Sequence, residues 1–350
     1  MTNVFDHPWL GGLFGDDEMS RVLSAEAELA RMLAVESAWT RAIGKAQGIS
    51  ADVYNSLAET IVTAPITPQD LRDGAARDGI PVPALVELIK RDVSADLHPL
   101  VHKGLTSQDV MDTSLMLALQ RVFPILGSRL GRLLDALGTL NTRFGARSIM
   151  GYTRMQAALP ITVGDRISGW ERPLAVLQDR MPELAQRAAI VQWGGPVGIR
   201  DGGTDALGAS FAANLGLRDP GHAWHSDRLI IADIAAALAS ISSALGKIGQ
   251  DLTLMAQMGP ACLVLQSGGG SSAMQHKRNP VLAETLVTLA RFNASAIGSI
   301  HHAVVHEQER SGSAWALEWM TLPDMIMTTG RSLTCASQAI AQIDRIGQDS

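Results

Sequence analysis

The segment from Gly268 to Pro280 combines a run of glycines with hydroxyl and cationic side chains, a composition that suits proton transfer beside an anion. Its glycines lack a Cβ, so the backbone there can open and close. The polar side chains that follow them are Ser271, Ser272, His276, Lys277, Arg278 and Asn279. Such a loop can close over an anionic substrate and bring a hydroxyl to the carbon beside a carboxylate. A linker before a helix, with its basic residues solvated, explains the same composition without any catalysis.

The order of these residues resembles the motif G-S-S-x-M-P-x-K-x-N-P of the fumarase/aspartase superfamily, with one departure at Gln275, where the family has proline. In lyases of that family the first serine of the motif is the base in the elimination direction. The resemblance therefore implies a catalytic role for Ser271, with Ser272 beside it. It also implies that catalytic Lys277 and substrate-binding Asn279 stabilise the negative charge that develops on a substrate carboxylate, as fixed cations and hydrogen-bond donors do.

A second cluster of polar residues precedes a predicted long helix, and its members are His102, Thr106, Ser107, Gln108 and Asp109. Thr106 or Ser107 can cap that helix by accepting a hydrogen bond from a free backbone N–H group. The segment also resembles the first motif of the same superfamily, H-x-G-x-T-S-x-D. There the Thr-Ser pair contacts a substrate carboxylate, which implies substrate binding by Thr106 and Ser107 and a catalytic place for His102. The residues alone allow both interpretations.

The segment Gly151–Thr162 resembles a further superfamily motif, G-x-T-H-x-Q-x-A-x-P-x-T, and this resemblance implies that Gln156 contacts the substrate. Arg154 stands where the family has histidine. In family lyases that histidine takes part in proton transfer or orients the acid, whereas an arginine stays protonated and is a poor base. Arg154 can instead bind a further substrate carboxylate through two parallel hydrogen bonds. A structural ion pair explains Arg154 equally well.

Residues 306–323 resemble H-E-R-…-G-x-W-x-x-E-W-x-x-L-P, a segment of the muconate cycloisomerase branch of the superfamily. They contain Arg310, a predicted substrate-binding cation, and two tryptophans, Trp315 and Trp319, which by default pack in a core or an interface. The branch implies lactonisation of 3-carboxy-cis,cis-muconate, a step of aromatic degradation in the β-ketoadipate pathway. Such a tricarboxylate suits the cationic side chains of the motifs. The alternatives are an adenylosuccinate- or argininosuccinate-type lyase that releases fumarate, and a scaffold without catalysis.

Long helices are the elements that must position these residues. Apolar residues recur at steps of three and four between Leu115 and Phe144, which is typical of a bundle helix. Helices are predicted over residues 17–47, 81–92, 115–144, 161–190, 227–258, 281–299 and 324–345. The resemblance implies an all-α fold and a homotetramer, in which four subunits form a twenty-helix core and share their active sites. We expect an N-terminal helical domain over residues 1–98 and the bundle over 99–350, with a short or absent C-terminal domain.

Composition restricts the classes of function. The 350 residues are 46% hydrophobic and 18% charged, which predicts extra surface buried between subunits, and the net charge of −6 argues against a nucleic-acid partner. We find no signal peptide and no uncharged apolar run of about 20 residues, so we expect a cytoplasmic protein without a membrane partner. Cys262 and Cys335 lack metal-ligand spacing, and His222 and His225 have no convincing further ligand, so we expect no metal site. The resemblance implies no organic cofactor and a small tricarboxylate as the partner.

Overall fold

The N-terminal part of the chain folds into short helices in the computed structural model, which describes residues 3–200, 205–266, 268–270, 274 and 278–349. These helices are α1 (Gly11–Phe14), α2 (Asp17–Leu23), α3 (Ala25–Ala46), α4 (Ala51–Val62), α5 (Arg72–Asp78) and α6 (Val82–Arg91), with 3-10 turns over Pro68–Leu71 and Ala95–Leu100. The prediction of one helix over residues 17–47 is wrong at Ser24. That residue is extended, and its side chain accepts a hydrogen bond from the Ala27 N–H group to cap α3.

Long helices dominate the remainder of the described chain. In order they are α7 (Ser107–Phe144), α8 (Val163–Arg187), the shorter α9 (Asp205–Leu215), α10 (Leu229–Gln257), α11 (Val281–Ala303) and α12 (Ser313–Ala341). Helix α10 packs against α8, α11 and α12, while α7 packs against α8 and α12. The prediction of an all-α fold with a long helical bundle is confirmed.

Two hydrophobic clusters lie in the interior. The larger one fills the bundle and includes the apolar stripe predicted for α7, with Leu119, Leu126 and Leu133 fully buried. The smaller one joins the N-terminal helices to the first turns of α7 and to α9, through side chains such as Val110 and Phe211. Since side chains from both sides of residue 98 share this smaller cluster, a domain boundary at residue 98 stays a prediction.

Two short antiparallel strand pairs accompany the helices, and the sequence analysis predicted neither. Strand β1 (Ser148–Thr153) pairs with β2 (Gln156–Thr162), and β3 (Leu263–Leu265) pairs with β4 (Ile343–Ile346). The last helix was predicted over residues 324–345, which is wrong at both ends. Helix α12 accommodates Pro323 in its interior and so begins earlier, at Ser313, and β4 takes the final residues.

Helix α10 is highly apolar and lies in the centre of the bundle. By length and composition alone it could span a membrane, and 50% of its most apolar window is buried inside the chain. It approaches α11 closely at two glycines. A Cβ at Gly249 would lie 2.5 Å from the Ala283 carbonyl oxygen, and a Cβ at Gly246 would overlap Ala290. The backbones of α10 and α11 therefore come close together because these positions lack side chains.

Candidate active site

The first turn of α7 is anchored by Asp109, which is fully buried. Its Oδ2 accepts hydrogen bonds from the backbone N–H groups of Thr106 (2.9 Å) and Gly195 (3.1 Å), and its Oδ1 accepts one from His225 Nε2 (2.7 Å). The bond from Thr106, the N-cap residue, belongs to a capping box. Asp109 therefore ties the 102–109 motif to two loops that are distant in sequence.

Arg310 reaches the same helix end from the segment before α12. Its Nη1 donates to Thr106 Oγ1, and its Nη2 donates to the Pro196 carbonyl oxygen. Ser107, the first residue of α7, is half-buried beside Thr106. The structure thus brings three predicted substrate-binding residues together at a helix N-terminus, where the helix dipole and free N–H groups favour an anion. This arrangement suits the binding of a carboxylate.

His102 lies in the turn before α7, with a left-handed backbone φ of +59°. Its Nδ1 donates to Glu36 Oε1 at 2.6 Å, and Glu36 is fully buried on α3. Burial alone lowers the pKa of His102, but the hydrogen bond and charge of Glu36, with the charge of Asp109, raise that pKa above its ordinary value of 6.5. Glu36 therefore favours the imidazolium form, which can donate a proton or pair with a carboxylate.

A buried ion cluster lies behind this helix end. Arg228, 1% exposed, donates two hydrogen bonds to Asp112 (2.7 and 3.0 Å) and two to Glu318 (2.9 and 2.5 Å). Trp315 Nε1 donates to Asp112 Oδ1 at 3.1 Å. Burial lowers the pKa of Arg228, but the two carboxylates outweigh burial and raise that pKa. The cluster joins α7, the start of α10, and α12, so it fixes the helix ends that form the site.

The β1–β2 hairpin presents the 151–162 motif to solvent. Arg154 and Met155 form its turn with φ values of +48° and +66°, and both are exposed, as is Gln156. Within the described ranges, no hydrogen bond or ion pair joins Arg154 or Gln156 to the 102–109 motif. Inside one chain, therefore, these two predicted substrate contacts make no polar contact with the site at α7.

The structure describes the two ends of the 268–280 segment, together with residue 274. The residues of this segment that lie outside the described ranges are Ser271, Ser272, Ala273, Gln275, His276 and Lys277. At the base, the Gly269 and Asn279 backbones exchange two hydrogen bonds of 3.0 and 2.9 Å. A Cβ at Gly268 would lie 2.9 Å from the Asn279 carbonyl oxygen, so this close approach needs glycine. Half-buried Asn279 thus lies next to the start of α11.

The sequence analysis missed the buried partners of the predicted residues. Glu36 gives only a weak signal, as one carboxylate among apolar neighbours on α3. His225 was weighed as a metal ligand or a loop residue, and it is the hydrogen-bond partner of Asp109. Arg228 belongs to none of the quoted motifs, and Glu318 is a glutamate of the 306–323 motif, to which the sequence analysis gave no role. Among the described residues, no group of three His, Cys, Asp or Glu side chains is arranged to hold a metal ion.

Comparison with known proteins identifies the family of this chain. A protein-family profile described as lyase matches residues 22–293, which is most of the chain. The chain belongs to this lyase family, the fumarase/aspartase superfamily. This superfamily member is therefore an enzyme.

Individual relatives match this superfamily member over nearly its whole length. The 3-carboxy-cis,cis-muconate cycloisomerase of Pseudomonas aeruginosa is 31% identical over 359 residues, covering 100% of this chain and 78% of the relative. Nitrosuccinate lyase of Streptomyces davaonensis is 30% identical, covering 94% of this chain and 73% of the relative. The crystal structure of 3-carboxy-cis,cis-muconate lactonizing enzyme from Pseudomonas putida is 28% identical with a TM-score of 0.88, covering 97% of this chain and 77% of that one.

Proposed function

We propose that this enzyme converts 3-carboxy-cis,cis-muconate into 4-carboxymuconolactone by adding a substrate carboxylate to a conjugated double bond of the same molecule. The contact between Arg310 and Thr106 is the observation that carries the proposal. It joins a cation of the segment that resembles the cycloisomerase branch to a hydroxyl of the carboxylate-binding motif. Relatives named as this cycloisomerase are 30–31% identical to the chain, which supports the same assignment.

The reaction forms one C–O bond and one C–H bond within a single substrate molecule. A carboxylate oxygen attacks the β carbon, and the π electrons move into the conjugated carboxylate. Lys277 and Asn279 stabilise this negative charge, and one such donor lowers a barrier by roughly 3–4 kcal/mol. Ser271, with Ser272 beside it, then delivers a proton to the α carbon. Because the nucleophile belongs to the substrate, no base is needed to activate an external one, which agrees with Arg154 in place of histidine.

The N-terminus of α7 binds the first substrate carboxylate. Thr106 and Ser107 offer their hydroxyls there, and Arg310 supplies a positive charge in contact with Thr106. His102 lies in the preceding turn with its imidazole held by Glu36, so its protonated form adds a second cation. All the residues of this carboxylate-binding set belong to one and the same chain.

A neighbouring subunit contributes the hairpin in our proposal. Arg154 and Gln156 are exposed, and they would bind a further carboxylate at the site of another subunit of a homotetramer. Such an assembly would also cover Met155 and Leu159, which are 79% and 72% exposed. We assign the assembly, with its twenty-helix core, to the cytoplasm and to the β-ketoadipate pathway of aromatic degradation.

The ultraviolet absorbance of 3-carboxy-cis,cis-muconate tests the proposal, because lactonisation breaks the conjugated diene. We expect a fast fall in absorbance with the wild type and a rate about 100-fold or more lower with Ser271→Ala. Ser128→Ala, on the exposed side of α7, serves as the matched control and should turn over normally. Constant absorbance with the wild type would contradict the substrate, and normal turnover by Ser271→Ala would contradict the proton donor.

A lyase that releases fumarate is the second candidate, and the 30% identity to nitrosuccinate lyase favours it. Arg154 counts against it, because lyases of the family that this motif resembles carry a histidine there. Adding adenylosuccinate, argininosuccinate or nitrosuccinate and measuring fumarate separates the two candidates. Fumarate release from any of these substrates, with no loss of muconate absorbance, would replace the cycloisomerase assignment.

A further inference from the structure

A cleft of about 140 Å³ lies between α2, α3, α7 and α12, beside the Arg228 cluster. Apolar side chains form most of its wall, namely Leu23, Met111, Leu115, Ala118, Trp319 and Leu322. Trp315 also lines the cleft and packs edge-on against Trp319, with ring centroids 4.6 Å apart. None of the described residues assigned above to the substrate lines it. A concave, mainly apolar wall with aromatic rings is typical of a small-ligand site.

Arg31 lies at this cleft without a carboxylate partner. Its Nη1 donates to the Val22 carbonyl oxygen at 2.8 Å, and its Nε is buried with no hydrogen-bond partner among the described residues. No Asp or Glu oxygen within the described ranges comes within 4.0 Å of its guanidinium nitrogens. Burial lowers the pKa of Arg31, and the charge of nearby Glu28 only partly offsets that effect. A partly buried cation with no carboxylate in direct contact is unfavourable, so this position favours an anion.

Ser114 places a second unsatisfied polar group in the wall of the cleft. The residue is 1% exposed, and its Oγ has no hydrogen-bond partner in the described part of the chain. Buried hydroxyls in native proteins are nearly always paired with a protein group or water. Rotation about its Cα–Cβ bond would let this hydroxyl donate to a ligand oxygen.

The charges around the cleft limit the ligand to one carboxylate. Asp112 and Glu318 both line it and both accept hydrogen bonds from Arg228, so two negative charges face the positive charge of that arginine. Glu28 adds another carboxylate to the lining. A ligand with two or three carboxylates would bring a negative charge close to these groups, which disfavours the tricarboxylate substrate here.

We propose that this cleft binds a small monocarboxylate whose carboxylate pairs with Arg31 and whose apolar body packs against the tryptophan and leucine side chains. An apolar cavity of about 150 Å³ is large enough for one benzene ring, so the body has about six carbons. The inference does not rest on the proposed reaction. The cleft and the α7 helix end share no assigned residue, so ligand and substrate bind together.

Benzoate is the probe, titrated into the full chain and followed by ligand-observed NMR, with benzyl alcohol as its uncharged counterpart. We expect a benzoate Kd on the order of 0.1–1 mM, as for a ligand of this size, and binding of benzyl alcohol weaker by about 10-fold or more. Arg31→Met should weaken benzoate binding by about 10-fold or more and leave benzyl alcohol unchanged. Arg41→Met, on the same helix, is the matched control and should change neither affinity.

Two further variants separate the charge from the fold. Arg31→Lys keeps the cation and should hold benzoate within about 3-fold of the wild type. Glu28→Gln removes a nearby negative charge and should tighten benzoate binding by about 2- to 5-fold, an effect that a merely structural role of Arg31 does not produce.

The benzoate measurements test the proposed cleft ligand independently of whether the enzyme turns over 3-carboxy-cis,cis-muconate. No benzoate binding at about 10 mM, a concentration well above the expected Kd, would overturn it. So would unchanged affinity in Arg31→Met, or displacement of benzoate by saturating 3-carboxy-cis,cis-muconate. Loss of benzoate binding in Ala118→Leu, which fills the cleft, would support it, provided that far-ultraviolet circular dichroism matches the wild type.

Discussion

Two motifs of this enzyme lie in opposite environments. The 102–109 motif at the start of α7 is held by buried side chains of its own chain, with Asp109 accepting three hydrogen bonds and Arg228 pairing with two carboxylates close behind. The 151–162 motif lies on a hairpin whose turn residues, Arg154 and Met155, point into solvent. The first motif is therefore organised before any substrate arrives, while the second lies in solvent and, in our proposal, meets the site of another subunit.

The contrast separates stability from substrate binding. Changes behind the α7 site should first lower the free energy of unfolding, because buried charges lose their partners. Changes on the hairpin should first lower activity and assembly, because exposed residues contribute little to folding of the chain. We test this division between the α7 site and the hairpin with four variants, in order of decreasing expected effect.

Arg228→Met removes the cation that hydrogen-bonds to both Asp112 and Glu318. Two buried carboxylates then lose their shared positive charge, which should lower the free energy of unfolding by about 3–5 kcal/mol. Urea denaturation followed by circular dichroism measures this change. Arg187→Met, which breaks an exposed pair with Asp233, is the control and should cost less than about 1 kcal/mol. Equal urea midpoints for Arg228→Met and the wild type would remove the distinction between the two regions.

Arg154→Gln tests whether the hairpin contributes to catalytic activity. Loss of a charged hydrogen-bond donor to a carboxylate should lower kcat/KM for 3-carboxy-cis,cis-muconate by about 10- to 100-fold. The urea midpoint should stay at the wild-type value, because Arg154 is exposed. Arg132→Gln, on the exposed side of α7, should leave kcat/KM unchanged. Unchanged kcat/KM in Arg154→Gln would contradict a substrate contact by Arg154.

Glu36→Gln tests the pH dependence of the α7 site. The folded-state pKa of His102 is raised above 6.5, mainly by Glu36 against the effect of burial. The pair therefore adds stability that is fully present below about pH 6.5 and is lost as the pH rises through the folded-state pKa. An NMR titration of the His102 ring should show a pKa above 6.5 in the wild type and a lower one in Glu36→Gln. A wild-type pKa at or below 6.5 would refute the role of Glu36.

Met155→Asn probes the tip of the hairpin with the smallest expected effect on folding. Asparagine tolerates the left-handed backbone of this position, with φ of +66°, so the free energy of unfolding should change by less than about 0.5 kcal/mol. Loss of the exposed apolar side chain should weaken the proposed assembly, and sedimentation at low protein concentration should detect smaller species. Sedimentation identical to the wild type would argue that Met155 lies outside any subunit interface.

The sequence predicts those elements of the site that depend on residues close together in the chain. The Thr106-x-x-Asp109 spacing predicts a helix start, and α7 begins there. The Arg228–Glu318 pair joins residues 90 positions apart, so no local pattern contains it. The hairpin escaped prediction because its turn uses Arg154 and Met155 at positive φ, where glycine or asparagine is the usual signal. The last helix was predicted to begin at residue 324, whereas α12 begins at Ser313, and its packing in the bundle accommodates Pro323 in the helix interior.

The close approach of α10 and α11 at Gly246 and Gly249 has a consequence for hydrogen exchange. With no side chains between them at these positions, the two helices cannot separate without exposing buried backbone, so their facing amides should exchange only through global unfolding. Helix α11 begins at Val281, directly after Asn279 and Pro280. The carboxyl end of the segment that carries the proposed catalytic serine is therefore attached to the part of the bundle that we expect to exchange most slowly.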